Sequence, residues 1–410
     1  MPVDVVQLIP QLRQMAARSA THRILRDDFL IRLRQVFAPG FNYAALDKVI
    51  STVTRHGSVK WAGARFTGQE TINQTYLAGR EPANYVLLAT DGSQIMPDRH
   101  KSVQYAAIQV AGAGIVYGQA PYPQALASAL TKLKQKPIIF KDDAQLYDEG
   151  GELIPPGEIS TERDLMEIEL LADLCEVFQK TGLQIVAVAD ASIVPFALLN
   201  ESFVRNSARR ATELLERIVS ALARMRTCHA LVAGYIDRPN SSTLARTCSL
   251  NEVSKDALSD QRKLTIALKH INSDLRGISD RLLLDPLLAC AARTALFEPT
   301  WLINSPAYLG QSGNTMRACY INLGKTRAAI ARMEFPEWCS DPTSVGTVTR
   351  IMERHTEMGR GYPLILKAAH EEAVLTVNDE HAIDHMIERG MIEQGILTMP
   401  SSKQEAKAKR

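Results

Sequence analysis

The sequence predicts a mixed α/β fold with a helical N-terminal region. Three observations carry that expectation. Short apolar runs at 85–90, 184–189 and 230–236 stop at small or polar residues, the pattern of strands buried on both faces. Segments with apolar residues at helical spacing stand between them, at 161–180 and 207–226. Some strand candidates are near enough in sequence for hairpins and others are separated by a helix-length crossover, so the sheet is expected to be mixed.

Residues 1–80 read as mostly helical, with helical spacing over 5–17 and 29–37 and a stop at Pro39-Gly40. Arg13, Arg18, Arg23, Arg26, Arg32 and Arg34 fall here and read first as solvated helix faces. After the 85–90 strand and a turn at Asp91-Gly92-Ser93, strands at 103–110 and 114–118 read as a β-meander. A helix is expected over 125–134 and a loop over 142–158, rich in Asp, Gly and Pro. Thr161 and Asp164 have the spacing of a capping box at the start of the 161–180 helix. Residues 240–313 carry no readable pattern. Strands at 318–323 and 328–335 precede helices near 344–355, 364–377 and 381–389, and the Lys-rich end reads as a polar, disordered tail. No internal repeat is visible.

With 410 residues and 46% apolar content, the chain can bury a sizeable core. A net charge of +2 excludes a global basic field, so any nucleic-acid contact must be local. The six cysteines are scattered without a CxxC pair, which argues against a structural zinc site or a disulfide framework and for a reducing cytoplasm. No apolar run approaches a membrane span, and the N-terminus lacks a signal pattern, so no membrane association is expected.

The candidate chemistry lies in four residues. Asp91 and Asp190 each follow a buried strand, where two carboxylates can meet at one sheet edge and hold a hard divalent cation. An Asx-type turn is the plainer reading of either one. Glu167 lies four residues before Leu171 on the stripe that continues through Leu174 and Phe178, so it faces the core, or its rim near the helix start. Glu169 aligns with Asp173, Glu176 and Lys180 on the opposite face and is expected in solvent, although either glutamate is open as the third acid. His370 lies two turns into a helix that begins near Pro363, as a metal ligand, a proton shuttle or a core histidine. Tyr235 and Arg238, at the mouth of the 230–236 strand, are candidate nucleic-acid contacts.

Other patterns lead away from competing chemistries. His370-Glu371-Glu372 begins like a zincin motif, but Val374 stands where the second histidine belongs. His381 and His385, four apart around Asp384, fit a metal clamp or an ordinary surface helix. No GxxxxGK[ST] is present, and Ser93 stands where an aspartyl-phosphate enzyme would carry its second acid.

Taken in order, Asp91-Gly92-Ser93, a helix with Glu167, Asp190-Ala191-Ser192, Ala233-Gly234-Tyr235, Tyr362-Pro363 and Ala369-His370 resemble the NurA family of nucleases over roughly residues 80–390. Ala191 departs from the glycine common in the family's second Asp-Gly-Ser. The resemblance implies a ribonuclease H-like core over a NurA-like nuclease domain at 81–395, with 1–80 as the helical N-terminal region and 396–410 as the tail. It implies a Mn²⁺- or Mg²⁺-dependent DNA nuclease, a single-strand endonuclease and 5′-to-3′ exonuclease in double-strand-break end processing. It further implies a homodimer working beside a HerA-like hexameric ATPase. Asp91, Glu167, Asp190 and His370 match the family's catalytic and metal residues. The alternatives are a catalytically weak DNA-end clamp or adaptor for such an ATPase, and a metal-dependent hydrolase of a smaller phosphoester.

Overall fold

The computed structural model describes residues 5–55, 61–66, 70–98, 100–101, 103–118, 131–133, 139–141, 146–147, 154, 156–195, 198, 208–300, 313–325 and 329–396. In chain order they form α1 (Val5–Arg34), α2 (Tyr43–Arg55), β1 (Ala64–Arg65), β2 (Thr75–Leu77), β3 (Tyr85–Ile95), β4 (Ala106–Tyr117), β5 (Thr131–Leu133) and β6 (Ile139–Lys141). There follow α3 (Pro156–Gln179), β7 (Gln184–Ala189), α4 (Ala208–Thr227), β8 (Leu231–Ile236), α5 (Thr243–Ser249), α6 (Lys255–Ser259), α7 (Gln261–Asp274) and α8 (Asp280–Leu284). The last elements are β9 (Ala292–Thr294), β10 (Glu298–Pro299), β11 (Met316–Asn322), β12 (Ile330–Pro336), α9 (Pro342–Met358), α10 (Leu364–Ala373) and α11 (Val377–Glu393). The expected mixed sheet, flanking helices and helical N-terminal region are all present. Among the described residues no helix is long and apolar enough to cross a membrane.

Two compact units divide the chain. One gathers residues 1–78, 237–307 and 316–333; the other gathers 79–236, 308–315 and 334–410. In the first unit, Phe29, Leu33, Ile50 and Val53 from the N-terminal helices pack with Leu264, Leu268, Phe297 and Tyr320 in one core. Residues 240–300, unreadable as sequence, form its short helices and strands. They are held by polar ties with no sequence period: Tyr320 Oη donates to the buried Asp280 at 2.5 Å, and Asp280 also accepts from Ala245 N at 2.8 Å. Residues 301–312 lie outside the described residues.

The second unit is built on β3. β4 pairs with it antiparallel along its whole length, from Tyr85↔Tyr117 to Ile95↔Ala107. β7 pairs with it parallel from Tyr85↔Gln184 to Thr90↔Ala189, and β8 continues parallel beyond β7. The edge strands β5 and β6 pair with β4. The central residues Val86–Leu88 and Ile185–Val188 are fully buried, which accounts for the continuous apolar runs.

Five expectations need correction. α1 is one helix rather than two, running through Pro10. β3 does not end at Thr90 but continues to Ile95, because β4 still pairs with it after β7 stops. The meander of two strands is the single strand β4; its Gly112 marks a close approach rather than a turn, since a Cβ there would lie 2.7 Å from Leu174 Cδ1 on α3. Residues 131–133 are strand, not helix, and the rest of the expected 125–134 helix lies outside the described residues. α3 starts at Pro156, so Thr161 and Asp164 lie inside it and form no capping box; Thr161 Oγ1 donates back to Gly157 O at 2.7 Å. Most of the 142–158 loop and residues 397–410 of the tail lie outside the described residues.

Candidate metal centre

Strand register brings the two aspartates to one place. The parallel pairing of β3 and β7 ends at Thr90↔Ala189, and Asp91 and Asp190 are the next residues on each chain. They therefore lie side by side on neighbouring strands, whose spacing is about 4.8 Å. β3 continues past this point, so Asp91 is held within a strand and not in a turn, while Asp190 begins the turn after β7.

The two faces of β3 meet different helices. Even positions face α3: Thr90 Oγ1 donates to Glu167 O at 3.0 Å, and Gln94 Nε2 to Ser160 Oγ at 2.9 Å. Odd positions face α10: Ser93 Oγ donates to Ala373 O at 2.6 Å and accepts from Leu375 N at 2.7 Å. The serine of Asp91-Gly92-Ser93 thus pins the end of α10 to the strand. One turn earlier on that helix, His370 Nδ1 shares a 2.7 Å hydrogen bond with Asp91 Oδ2. Asp91 Oδ1 also accepts from Gly92 N at 2.8 Å, so the Asx-type contact and the histidine pairing coexist. His370 is no core histidine; its side chain is 58% exposed.

Glu167 arrives from the other face. It is 2% exposed, as its helical phase predicts. A Cβ on Gly92 would lie 2.6 Å from Glu167 Oε1, so the glycine is what lets this carboxylate reach the strand. Burial pushes the Glu167 carboxyl well above its ordinary pKa; nearby Arg163 opposes this, and Asp164, Asp91 and Asp190 add to it. Arg163 Nε stands 3.1 Å from Glu167 Oε1, close enough for an ion pair, but the angle makes no hydrogen bond. Glu169 is not in open solvent as expected. Arg217 of α4 grips both its oxygens, at 2.8 and 2.9 Å.

Asp190 accepts a short hydrogen bond from Tyr362 Oη. Burial and the aspartate raise this phenol's pKa, which keeps it a donor. A tight turn delivers Tyr362: a Cβ on Gly359 would fall 1.9 Å from Tyr362 O, and Arg360 and Gly361 have φ of 59° and 113°. On the other side of Asp190, Ser192 Oγ donates to the buried Glu334 at 2.6 Å. Gly234 admits the 190–193 turn, because a Cβ there would meet Ala191 O at 2.6 Å.

Tyr235 corrects a sequence expectation. It is 1% exposed, with its ring edge-on to Tyr362 at 5.9 Å, so it cannot stack on a base. Arg238 is 78% exposed and only loosely paired with Asp237, at 3.6 Å. Sequence reasoning gave no role to Tyr362, Glu334 or Arg163. The acid inside the apolar stretch of β12 was the one available signal for Glu334.

The donor chemistry fits a hard divalent cation. Three carboxylates, from β3, α3 and the residue after β7, lie near enough for Asp91 and Asp190 to act electrostatically on Glu167. Glu167 Oε1 is buried and has no hydrogen-bond partner among the described residues. As they stand, however, no three His, Cys, Asp or Glu side chains among the described residues are close enough to enclose a cation. Asp91 hydrogen-bonds His370 and Gly92, and Asp190 hydrogen-bonds Tyr362. Glu167 reaches β3 from the face opposite His370, so the expected convergence of all four side chains is incomplete.

Comparison with known proteins identifies the family of the chain. The family model described as the NurA domain matches residues 85–375. Similar solved structures include the NurA nuclease from Sulfolobus solfataricus, at 12% identity and a TM-score of 0.46, over 86% of this chain and 93% of that one. A NurA structure with manganese has 10% identity and a TM-score of 0.39, over 93% and 98%. A NurA structure bound to dAMP and manganese has 11% identity and a TM-score of 0.34, over 91% and 94%. No curated protein matches the sequence. The family match takes in Asp91, Glu167, Asp190, Tyr362 and His370 and most of the chain, and the protein belongs to the NurA family.

Proposed function

We propose that the protein is a metal-dependent DNA nuclease of double-strand-break end processing, with Asp91, Glu167, Asp190 and His370 as its working residues. One observation carries the reading: the β3/β7 register sets Asp91 and Asp190 side by side where β7 ends, near a buried glutamate whose Oε1 lacks a hydrogen bond among the described residues. Family membership supports the same chemistry. The strand order β4–β3–β7–β8, antiparallel then parallel, supports a ribonuclease H-like core.

A Mn²⁺ or Mg²⁺ ion held by Asp91, Glu167 and Asp190 would supply positive charge for the phosphoryl oxygens and acidify an attacking water. Each carboxylate oxygen has a second lone pair, so Asp91 and Asp190 can offer donors to the ion while keeping His370 and Tyr362 in place. Tyr362 orients Asp190 by its hydrogen bond, and Ser192 with Glu334 fixes the turn that follows. His370 is tied through Nδ1 to Asp91 and its ring is largely exposed, which suits Nε2 to exchange a proton with the leaving oxygen. Arg238, exposed at the end of β8, is a phosphate contact.

Single-strand endonuclease and 5′-to-3′ exonuclease activity, a homodimer and a HerA-like hexameric partner belong to this proposal, in the cytoplasm and without a membrane. A net charge of +2 supports the need for a partner to retain DNA. Incubation with end-labelled single- and double-stranded DNA, with and without Mn²⁺, tests the reading; no cleavage of either would sink it. Light scattering tests the dimer. A second reading, a weakly catalytic DNA-end clamp, is favoured by the open spacing of the acidic side chains. Asp91→Ala separates the two, since a clamp keeps its DNA and partner binding.

A further inference from the structure

α3 carries a cation to the strand ends as well as a carboxylate. Arg163 lies one turn before Glu167, with Nε 3.1 Å from Glu167 Oε1 and Nη2 2.5 Å from Asp164 Oδ1. Asp91 adds to the negative field that Glu167 and Asp164 impose on the guanidinium. The placement is tight. A Cβ on Gly92 would lie 2.8 Å from Arg163 Cγ and 2.6 Å from Glu167 Oε1, so one missing side chain admits both groups to the strand.

The arginines of α4 are used otherwise. Arg210, Arg217 and Arg224 pair with Glu162, Glu169, Asp173 and Glu176, acids on the α4-facing side of α3. None of those acids stands at the strand ends. Arg163 pairs with a carboxylate of the candidate centre, on the glutamate oxygen that has no hydrogen bond among the described residues.

We propose that Arg163 is a built-in counter-ion of the metal centre, sharing Glu167 with the divalent cation and setting how tightly that cation binds. The inference rests on the metal-dependent reading above. A fixed positive charge beside a shared carboxylate repels an incoming dication and occupies one of its ligand atoms. Both effects weaken binding. The counter-ion in return compensates Glu167 when its burial would otherwise be uncompensated.

The test is Mn²⁺ titration of the full chain without DNA, with free Mn²⁺ read by electron paramagnetic resonance. Arg163→Met is expected to bind Mn²⁺ about tenfold more tightly than the unsubstituted protein, and Arg163→Lys, which keeps the charge, within about twofold of it. Arg163→Gln serves in place of Arg163→Met if far-UV circular dichroism shows the methionine variant unfolded. Folded neutral variants with unchanged or weaker Mn²⁺ affinity would overturn the counter-ion role. Failure of the metal reading looks different: no saturable Mn²⁺ binding in the unsubstituted protein, or binding that Asp91→Ala leaves intact.

Discussion

α3 presents acidic side chains to two neighbours, and their fates differ. Towards α4, Glu162, Glu169 and Glu176 recur every seven residues and meet Arg210, Arg217 and Arg224, which recur at the same interval. Two helices with matching seven-residue repeats keep their partners in step along the contact. Towards β3, Glu167 meets Gly92 and the field of two aspartates, with one angled arginine for relief. The first face matches each carboxylate with a guanidinium and fixes a helix. The second leaves negative charge under-compensated in a buried place, which is costly for stability and useful for binding a cation.

The sharpest way to break this contrast is to remove one acid from each face. Asp91→Ala is expected to lower Mn²⁺-dependent DNA cleavage by at least about a hundredfold, since several kcal/mol of charge stabilisation goes with it. Glu169→Ala should leave the cleavage rate within about threefold. Rates on end-labelled DNA decide, and a reversed order would mean that the α4 face carries the chemistry.

A buried group lacking a charged partner should also reveal itself in pH dependence. His355 is fully buried and shares a 2.8 Å hydrogen bond with Tyr117, while burial lowers its pKa to about 4. The unfolded chain takes up that proton more readily, near pH 6.5. Stability is therefore full above this value and falls as pH drops from about 6.5 to about 4, by roughly 3 kcal/mol. Urea unfolding across that range measures it, and His355→Gln should flatten this part of the profile.

Gly92→Ala sharpens the contrast from the strand side. The added methyl must displace Glu167 or Arg163, so cleavage should fall by about tenfold or more with a much smaller change in thermal unfolding. Normal cleavage by this variant would show that the position of Glu167 does not matter. The smallest effect is expected on the paired face. Arg217→Met removes a partly exposed ion pair and should cost about 1 kcal/mol in urea unfolding, with cleavage nearly unchanged.

The local pattern already located Asp190 at a strand end and Glu167 on the inward stripe of its helix, because side-chain periods of 2 and 3.6 fix a residue's face relative to its own element. The same logic misread Asp91, since a strand's end depends on its neighbours, and β4 carries β3 onward where β7 has stopped. It sent Glu169 to solvent because the heptad of arginines that covers it lies about fifty residues later. Tyr235 looked available at a strand mouth until Tyr362 closed over it.

The sequence by itself determined the class of fold and the family, because these rest on local pattern and the order of short motifs. The tertiary structure decided who faces whom. It placed His370 on Asp91, Tyr362 on Asp190 and Arg163 on Glu167, contacts made across a strand register and two opposite sheet faces. Such pairings join elements as much as 279 residues apart, and no period within a single element encodes them.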